Sequence, residues 1–393
     1  MTRGSGFGPL FWALVAATFL GFLGTGTVLP ALAPQVRHNL GGSDRTVGFV
    51  IGIFSIAALA SRFISGPIAD RRGRKPAFIA GLLSCALAGG AYLLPIGIFG
   101  AYLGRILQGF GEACLYTGAA AWAVELAGVH RSSQALGYVS SGIWGGISAG
   151  PVVGQWLGSF QRAAAAQTIL ALAACLLLLI VPEHYVPSRQ PRGGSWIPKS
   201  ILVPGVAVGL VNVSLPVITG FLVLHLANHG NSGPAAFSAW AGMILISRFF
   251  LGGIPDRIHP RITYYLGLCG MAGGLAALAT GPRPAVAIAS AALLGFGFSF
   301  PWSSLASTVL KRTPPHEHGT TVGLLSAFYD LFVGISSFAA GEVSTRLGYP
   351  AAFLMAAAAV VVAAGLGLLV FPHGPAGPVT LNDGEACLEP IEL

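Results

Sequence analysis

The sequence predicts an all-α integral membrane protein of twelve transmembrane helices in two pseudo-symmetric six-helix bundles, and three observations predict it. Of 393 residues, 54% are hydrophobic and 9% charged, with a mean hydropathy of +0.75, whereas soluble domains carry about 25% charge. Apolar runs of about 20 residues, the length that crosses a hydrocarbon core, recur along the chain. The two halves also repeat one another at a constant spacing of 186 residues, that of Arg62 and Arg248.

So little polar surface excludes a cytoplasmic enzyme or a nucleic-acid-binding protein, despite a net charge of +8. The 56 glycines and 26 prolines fall largely inside apolar runs, which membrane helices tolerate because neighbouring groups satisfy the freed backbone. The five cysteines stand singly without a C-x-x-C spacing, so neither a disulfide framework nor a zinc site is implied.

The first apolar run, approximately 9–33, follows Arg3 and is as long as a full span. It reads as an uncleaved helix rather than a signal peptide. Further segments occupy 46–69, 77–95, 98–126, 134–159 and 164–182, completing an N-terminal bundle within residues 1–182. Residues 183–199, rich in Pro, Gly and charge, read as a cytoplasmic linker. Segments 200–228, 235–255, 262–281, 284–310, 320–345 and 349–371 form a C-terminal bundle within 200–371, and the acidic tail 372–393 is expected to be disordered.

Lysine and arginine orient the chain. The termini and even-numbered loops carry thirteen, among them Arg71, Arg72, Arg74 and Lys75, whereas the other face carries five, Arg37, Arg45, Arg162, Arg283 and Arg346. By the positive-inside rule both termini are cytoplasmic.

The repeat is clearest where residues 61–71 and 247–257 agree at seven of eleven positions. The same spacing pairs Leu29-Pro30 with Leu215-Pro216, Gly109-Phe110-Gly111 with Gly295-Phe296-Gly297, Gly137 with Gly323 and Ser140 with Ser326. Each copy holds an even number of spans, so the repeat is parallel. Two such halves about an axis along the membrane normal form a transporter architecture with a midplane site between them.

Gly66-Pro67-Ile68-Ala69-Asp70-Arg71-Arg72-Gly73-Arg74-Lys75 resembles the signature loop G-x-x-x-D-R-x-G-R-K of the major facilitator superfamily, with a degenerate copy over Gly252 to Arg257. Arg105 with Gln108-Gly109-Phe110-Gly111 resembles the arginine-containing motif of its twelve-helix drug:proton antiporter branch, and Gly146, Gly150, Pro151 and Gly154 resemble that branch's antiporter motif G-x-x-x-G-P-x-x-G. The resemblance implies the major facilitator fold and the cytoplasmic (inner) membrane of a bacterium. The first segment departs from the branch by lacking an acidic residue.

Within the loop, Asp70 is placed to meet the positive N-terminus of the eleventh segment. Glu125 and Arg131 are the partners expected for Arg71 and Arg74, and Asp256 is the counterpart of Asp70. These six read as gating residues; the alternative is plain positive-inside anchoring. The glycines at 142, 146, 150 and 154 form a stripe that lets another helix approach closely, and Pro151 can kink the segment. Ordinary helix packing explains that stripe equally well.

Charges at membrane depth are functional candidates, because each costs about 2.5 to 3.5 kcal/mol even on the insertion scale. Asp330 and Glu112 are the proton-coupling candidates, with fixed ion pairing as the alternative. Glu112 lies two helical turns from Arg105, on the same face. Arg62 and Arg248 each precede the loop aspartate by eight residues, ~12 Å deeper in the helix. They are placed to clamp an anionic substrate; the alternative is that each snorkels or pairs with a carboxylate of its own half. Trp144, Tyr329, His225 and Asn212 complete the substrate-binding candidates, while Tyr116, Trp122 and Trp302 read as packing or belt residues.

His316-Glu317-His318 lacks the i, i+4 spacing of a zinc hydrolase site and reads as a solvated loop, so no metal is expected. No G-x-x-x-x-G-K-S/T loop is present, which argues against ATP-driven transport. No enzymatic activity and no cofactor are expected. The partners are a small-molecule substrate, protons and the lipid bilayer, with the chain acting as a monomer. The sequence is read as a proton-coupled secondary exporter of a small organic molecule, anionic or zwitterionic, working by rocker-switch alternating access. The alternative is a proton symporter or uniporter importing an organic anion.

Overall fold

The computed structural model describes residues 7–127, 131–179, 181, 199–227, 232–251, 259–313 and 318–371, with the backbone alone at 63–72, 121, 124, 132–133, 199–200, 249, 251 and 318–320. Among the described residues all regular structure is helical. In chain order the helices are α1 (Pro9–Pro34), α2 (Asp44–Arg72), α3 (Arg74–Leu93), α4 (Ile98–Ala127), α5 (Ser132–Leu157) and α6 (Phe160–Leu179). Then follow α7 (Lys199–Asn212), α8 (Ser214–Val217), α9 (Val223–Ala227), α10 (Gly233–Leu251), α11 (Pro260–Ala279), α12 (Pro284–Phe298), α13 (Pro301–Leu310), α14 (His318–Leu347) and α15 (Tyr349–Val370). The expected linker 183–199, save Lys199 at the head of α7, and the expected tail 372–393 lie outside the described residues.

Nine helical stretches among the described residues are long and apolar enough to cross a membrane. Helices α4, α5 and α10, of 30, 26 and 19 residues, are not among those nine, so the sequence-predicted count of twelve rests on these three.

Two segments expected to be unbroken are broken. The segment predicted at 200–228 is interrupted at Val213 and passes through a π-helical stretch, Ile218–Leu222, because Pro216 cannot donate to residue 212 and its ring crowds that carbonyl. Likewise the segment predicted at 284–310 breaks between α12 and α13, where Pro301 takes the first position of a new helix. The first segment continues beyond Pro34 as a π-helical turn, Gln35–Asn39. Helix α2 starts on a reciprocal cap: Thr46 N–H donates to Ser43 Oγ and Ser43 N–H to Thr46 Oγ1, both at 3.2 Å.

The repeat read in the sequence recurs in the packing. A Cβ at Gly81 of α3 would lie 2.8 Å from the carbonyl oxygen of Gly111 in α4; its counterpart at Gly267 of α11 would lie 2.8 Å from that of Gly297 in α12. Glycine is required there because the backbones themselves touch. The α5 stripe seats that helix on α1. A Cβ at Gly150 would lie 2.5 Å from Gly26 Cα, and one at Gly146 2.6 Å from the Phe19 carbonyl oxygen.

The apolar core is not divided evenly along the helices. One cluster, including Phe11, Leu14, Phe78, Leu115, Trp122 and Leu178, belongs wholly to α1–α6 and the chain just beyond, towards the end that bears Gly73. The other joins Val28, Leu32, Val36, Val47, Ile51 and Phe160 to α7–α15. Among the described residues, the two halves of the chain thus share a core only towards the opposite end, that of Arg45.

Because α1 and α5 meet backbone to backbone, Gly150→Ala is expected to lower the melting temperature of the purified protein, overpacking costing about 1–3 kcal/mol. Gly145→Ala, whose Cβ would stand 3.6 Å from the Phe19 ring, is expected to melt like the wild type. Equal melting of both variants would remove the close approach as the reason for the stripe.

Candidate functional site

Between the halves lies a cavity in two adjoining chambers of about 110 and 90 Å³. Arg62, Tyr116, Asn212, Arg248, Trp302 and Asp330 line the first, and Thr25, Arg105, Gln108 and Trp240 the second. Phe54, Glu112, Trp144, Ile147, Phe298 and Tyr329 line both. Of the substrate-binding and proton-coupling candidates, all but His225 are brought to this cavity.

Three guanidiniums and two carboxylates meet here, each held differently. Asp330 is only 4% exposed, and its Oδ2 accepts from Arg62 Nε at 2.6 Å, tying α2 to α14 across the halves. The own-half partner considered for Arg62 is therefore replaced by one from the opposite half, and Arg62 is not free to form a symmetric clamp with Arg248. The Arg62 guanidinium also lies 5.9 Å from the Tyr116 ring centroid.

Arg105 is consumed by the protein. Its Nε donates to the Val50 carbonyl at 3.2 Å, its Nη2 to the Ile51 carbonyl at 3.3 Å and its Nη1 to Gln108 Oε1 at 3.2 Å. Gln108 Oε1 also accepts from the Tyr92 hydroxyl at 2.8 Å, and Gln108 Nε2 donates to Glu112 Oε1 at 3.1 Å. Arg105 therefore addresses Glu112 through Gln108, one turn from each along α4, while the Arg105 guanidinium covers Phe54 at 4.2 Å.

Arg248 has no such arrangement. Its buried Nε lacks a hydrogen-bond partner, and its guanidinium stacks 4.1 Å above the Trp144 ring. A desolvated cation–π contact contributes about 2 kcal/mol, against about 2.5 to 3.5 kcal/mol for a guanidinium at membrane depth. Among the described residues lining the cavity, three guanidiniums face two carboxylates, so one arginine has no acid of its own.

The remaining candidates are placed as follows. Asn212 Nδ2 donates to the Val208 carbonyl at 2.7 Å, and Tyr329 meets Trp302 edge to face at 6.3 Å. Tyr116 and Trp302, read in the sequence as packing residues, line the cavity, whereas Trp122 is core. His225 is corrected: it is 4% exposed, with Nε2 2.9 Å from the Leu278 carbonyl oxygen and its ring 5.1 Å from Phe353, within the second half and off the cavity. Its polarity suggested a site, but a buried backbone carbonyl satisfies it.

Of the gating candidates, Arg74 Nη1 pairs with Glu125 Oε2, joining α3 to α4 as expected. Arg131 lies 5.8 Å over the Phe7 ring. The side chains of Asp70 and Arg71, and all of Asp256, lie outside the described residues.

Closure at the Arg45 end was not anticipated. Glu342 accepts from Arg45 Nε at 2.5 Å and Nη2 at 3.0 Å, and from Arg346. Asp44 Oδ1 accepts from Arg37 Nε at 3.1 Å and from the Tyr349 hydroxyl at 3.0 Å, and Ser238 donates to Gln155 at 2.6 Å. A Cβ at Gly48 would lie 3.0 Å from Gly341 Cα. The glycines were visible in the sequence, but nothing there indicated which helix they face.

A family model for the Major Facilitator Superfamily matches residues 14–337 and 217–391. The chain is 29% identical over 373 residues to an uncharacterized MFS-type transporter of Salmonella typhimurium, spanning 91% of this chain and 96% of that protein. It is 28% identical over 373 residues to another from Burkholderia mallei, spanning 91% and 90%. In structure it resembles a mutant of the nucleoside transporter NupG, with a TM-score of 0.78 at 16% identity over 92% of this chain and 100% of that one. It also resembles a D-xylose-proton symporter, with a TM-score of 0.77 at 15% identity over 92% and 98%. At these identities the solved structures speak to the fold alone.

The ion pair between halves is open to a double-mutant cycle. Arg62→Gln and Asp330→Asn are each expected to lower the melting temperature by leaving one buried charge, at less than the about 3 to 5 kcal/mol of a fully buried pair. The double variant is expected to recover much of the loss. Additive losses would show that the two side chains do not stabilise one another.

Proposed function

The chain belongs to the Major Facilitator Superfamily, a family of multi-pass membrane transporters of small molecules, and we propose that this member is a proton-coupled secondary exporter working by antiport. In this reading twelve helices form two bundles, residues 1–182 and 200–371, joined by a cytoplasmic linker. A monomer sits in a bacterial inner membrane with both termini cytoplasmic and the Gly73 end on that side.

The observation that carries coupling is the Arg62–Asp330 pair, which bridges the halves inside the cavity. A proton on Asp330 removes the charge that Arg62 faces and so unfastens one half from the other. When the proton leaves, the pair re-forms. Glu112, reached by Arg105 through Gln108, is the second carboxylate able to carry a proton. At the cytoplasmic face, Asp70, Arg71, Arg74, Glu125, Arg131 and Asp256 act as the gate in this reading, and Arg45 with Glu342 fasten the outer one.

Among the described residues the core is shared only at the Arg45 end, which supports a state open to the cytoplasm, from which an exporter loads. The outward direction rests on the resemblance of Gly146, Gly150, Pro151 and Gly154 to the antiporter motif, together with their close seat on α1.

One observation favours a second reading, a proton symporter or uniporter importing an organic anion. The cavity holds a surplus guanidinium, and a proton on Asp330 would release Arg62 towards an anion, so proton and anion would load together.

Proteoliposomes with an imposed pH gradient of either sign separate these. Cargo accumulating against an opposing proton gradient, and losing that accumulation in Asp330→Asn or Glu112→Gln, is the expected result for antiport. Cargo moving with protons would replace export by the importer reading, and flux indifferent to the gradient and to both substitutions would end proton coupling altogether.

A further inference from the structure

The internal repeat makes Arg248 stand out. Arg62 and Arg248 occupy equivalent positions, and at the same 186-residue spacing so do Trp144 and Asp330. Arg62 reaches across to Asp330 at 2.6 Å. The equivalent contact in the other direction is Arg248 over Trp144 at 4.1 Å. The molecule therefore builds the same arginine contact twice and provides a carboxylate for only one of them.

The other charged pair behaves differently. Arg105 and Glu112 have Ala291 and Phe298 as their equivalents, so in the second half both members are absent together and no charge is stranded. At Arg248 the cation is present and its acid is not. A stacked indole attracts the guanidinium through its face but accepts no hydrogen bond, so the donors along the guanidinium edge keep their capacity. Arg248 Nε is buried without a partner, and the residue lines the central cavity.

We propose that the cargo supplies the missing carboxylate. Its carboxylate binds Arg248 where the repeat places Asp330 opposite Arg62, and the flat apolar remainder lies against Trp144, Phe298, Trp302 and Tyr329. One arginine left without its protein acid matches one carboxylate, so the substrate class is the amphipathic monocarboxylate with an aromatic or similarly flat body. This rests on the transport reading, because it takes the cavity for the cargo site.

The test is ligand binding to the purified full-length protein in detergent, followed as a melting-temperature shift. The probes are 3-phenylpropionate, its neutral amide and the dianion succinate. A saturable stabilisation by 3-phenylpropionate, absent with the amide and with succinate, is expected. Arg248→Gln is expected to weaken that binding about 10- to 100-fold, the range for losing a charged hydrogen-bond partner, and Arg248→Lys to fall between.

Without ligand, Arg248→Gln is expected to melt no lower than the wild type, since it removes an uncompensated buried cation; a tie that is merely structural would lower it. Trp144→Asp returns a protein carboxylate to the equivalent position and is expected to abolish probe binding. No response to 3-phenylpropionate, an equal response to its amide, or wild-type affinity in Arg248→Gln or Trp144→Asp would each overturn the proposal. Failure of the transport reading looks different: binding with this pattern persists while proteoliposomes show no flux.

Discussion

A membrane interior gives a guanidinium no water, so each arginine at depth must find its partner within the protein, and the arrangement around the cavity follows from how three of them do so. Gly109 lets α4 come against the Phe54 carbonyl of α2. That approach brings Arg105, one turn earlier, within reach of the Val50 and Ile51 carbonyls. Those oxygens already serve the helix ladder, and each spends a spare lone pair on the cation. Helix α2 is thereby fixed to α4 on one side, and Arg62 fastens it to α14 on the other. The bridge between the halves is thus a helix held by two arginines, one spent on backbone and one on a carboxylate that a proton can neutralise.

The two ends of the molecule are closed by forces of different size. At the Arg45 end the ion pairs are exposed, Arg45 at 51% and Glu342 at 38%, and solvent screens such pairs so that they add little stability. The weight there is carried by the buried apolar cluster that joins Val28, Leu32, Val47 and Ile51 to the second half. Parting the halves there would let water reach these side chains, and each one kept from water contributes about 1.5–3 kcal/mol, so a few of them outweigh the whole surface network. The ion pairs set which helix ends meet, and the apolar contacts hold them.

The fold was legible because lipid imposes length and apolarity, and duplication imposes register. Nine of the spans, the repeat and the charges that line the cavity could be read before any coordinates. The pairing of Arg74 with Glu125 was also legible, since both lie at neighbouring helix ends. Partners across the halves were not: nothing local to Arg62 names Asp330, 268 residues away. Breaks at Pro216 and Pro301 were missed because proline inside an apolar run is compatible with both a kinked span and a broken one. His225 misled because a lone polar side chain in such a run resembles a site until the Leu278 carbonyl that satisfies it is seen. The equivalence of Trp144 and Asp330 was in the sequence throughout, but a tryptophan and an aspartate do not register as a match; only their contacts with the two arginines show that they hold the same place.

That equivalence also bears on how proton and cargo would be coupled in the proposed cycle. With Asp330 ionised, Arg62 is engaged, and the anion meets Arg248 alone. With Asp330 protonated, Arg62 becomes a second cation beside the first, and the pull on an anion increases. Proton and anion then favour one another, which is the linkage a symporter uses. For exchange, the released Arg62 must turn to something other than the cargo, and Tyr116, whose ring centroid already lies 5.9 Å from its guanidinium, offers an aromatic face much as Trp144 does to Arg248. The direction of coupling therefore depends on a competition for one side chain: whether Arg62, once free of Asp330, joins the cargo or stacks as its counterpart does.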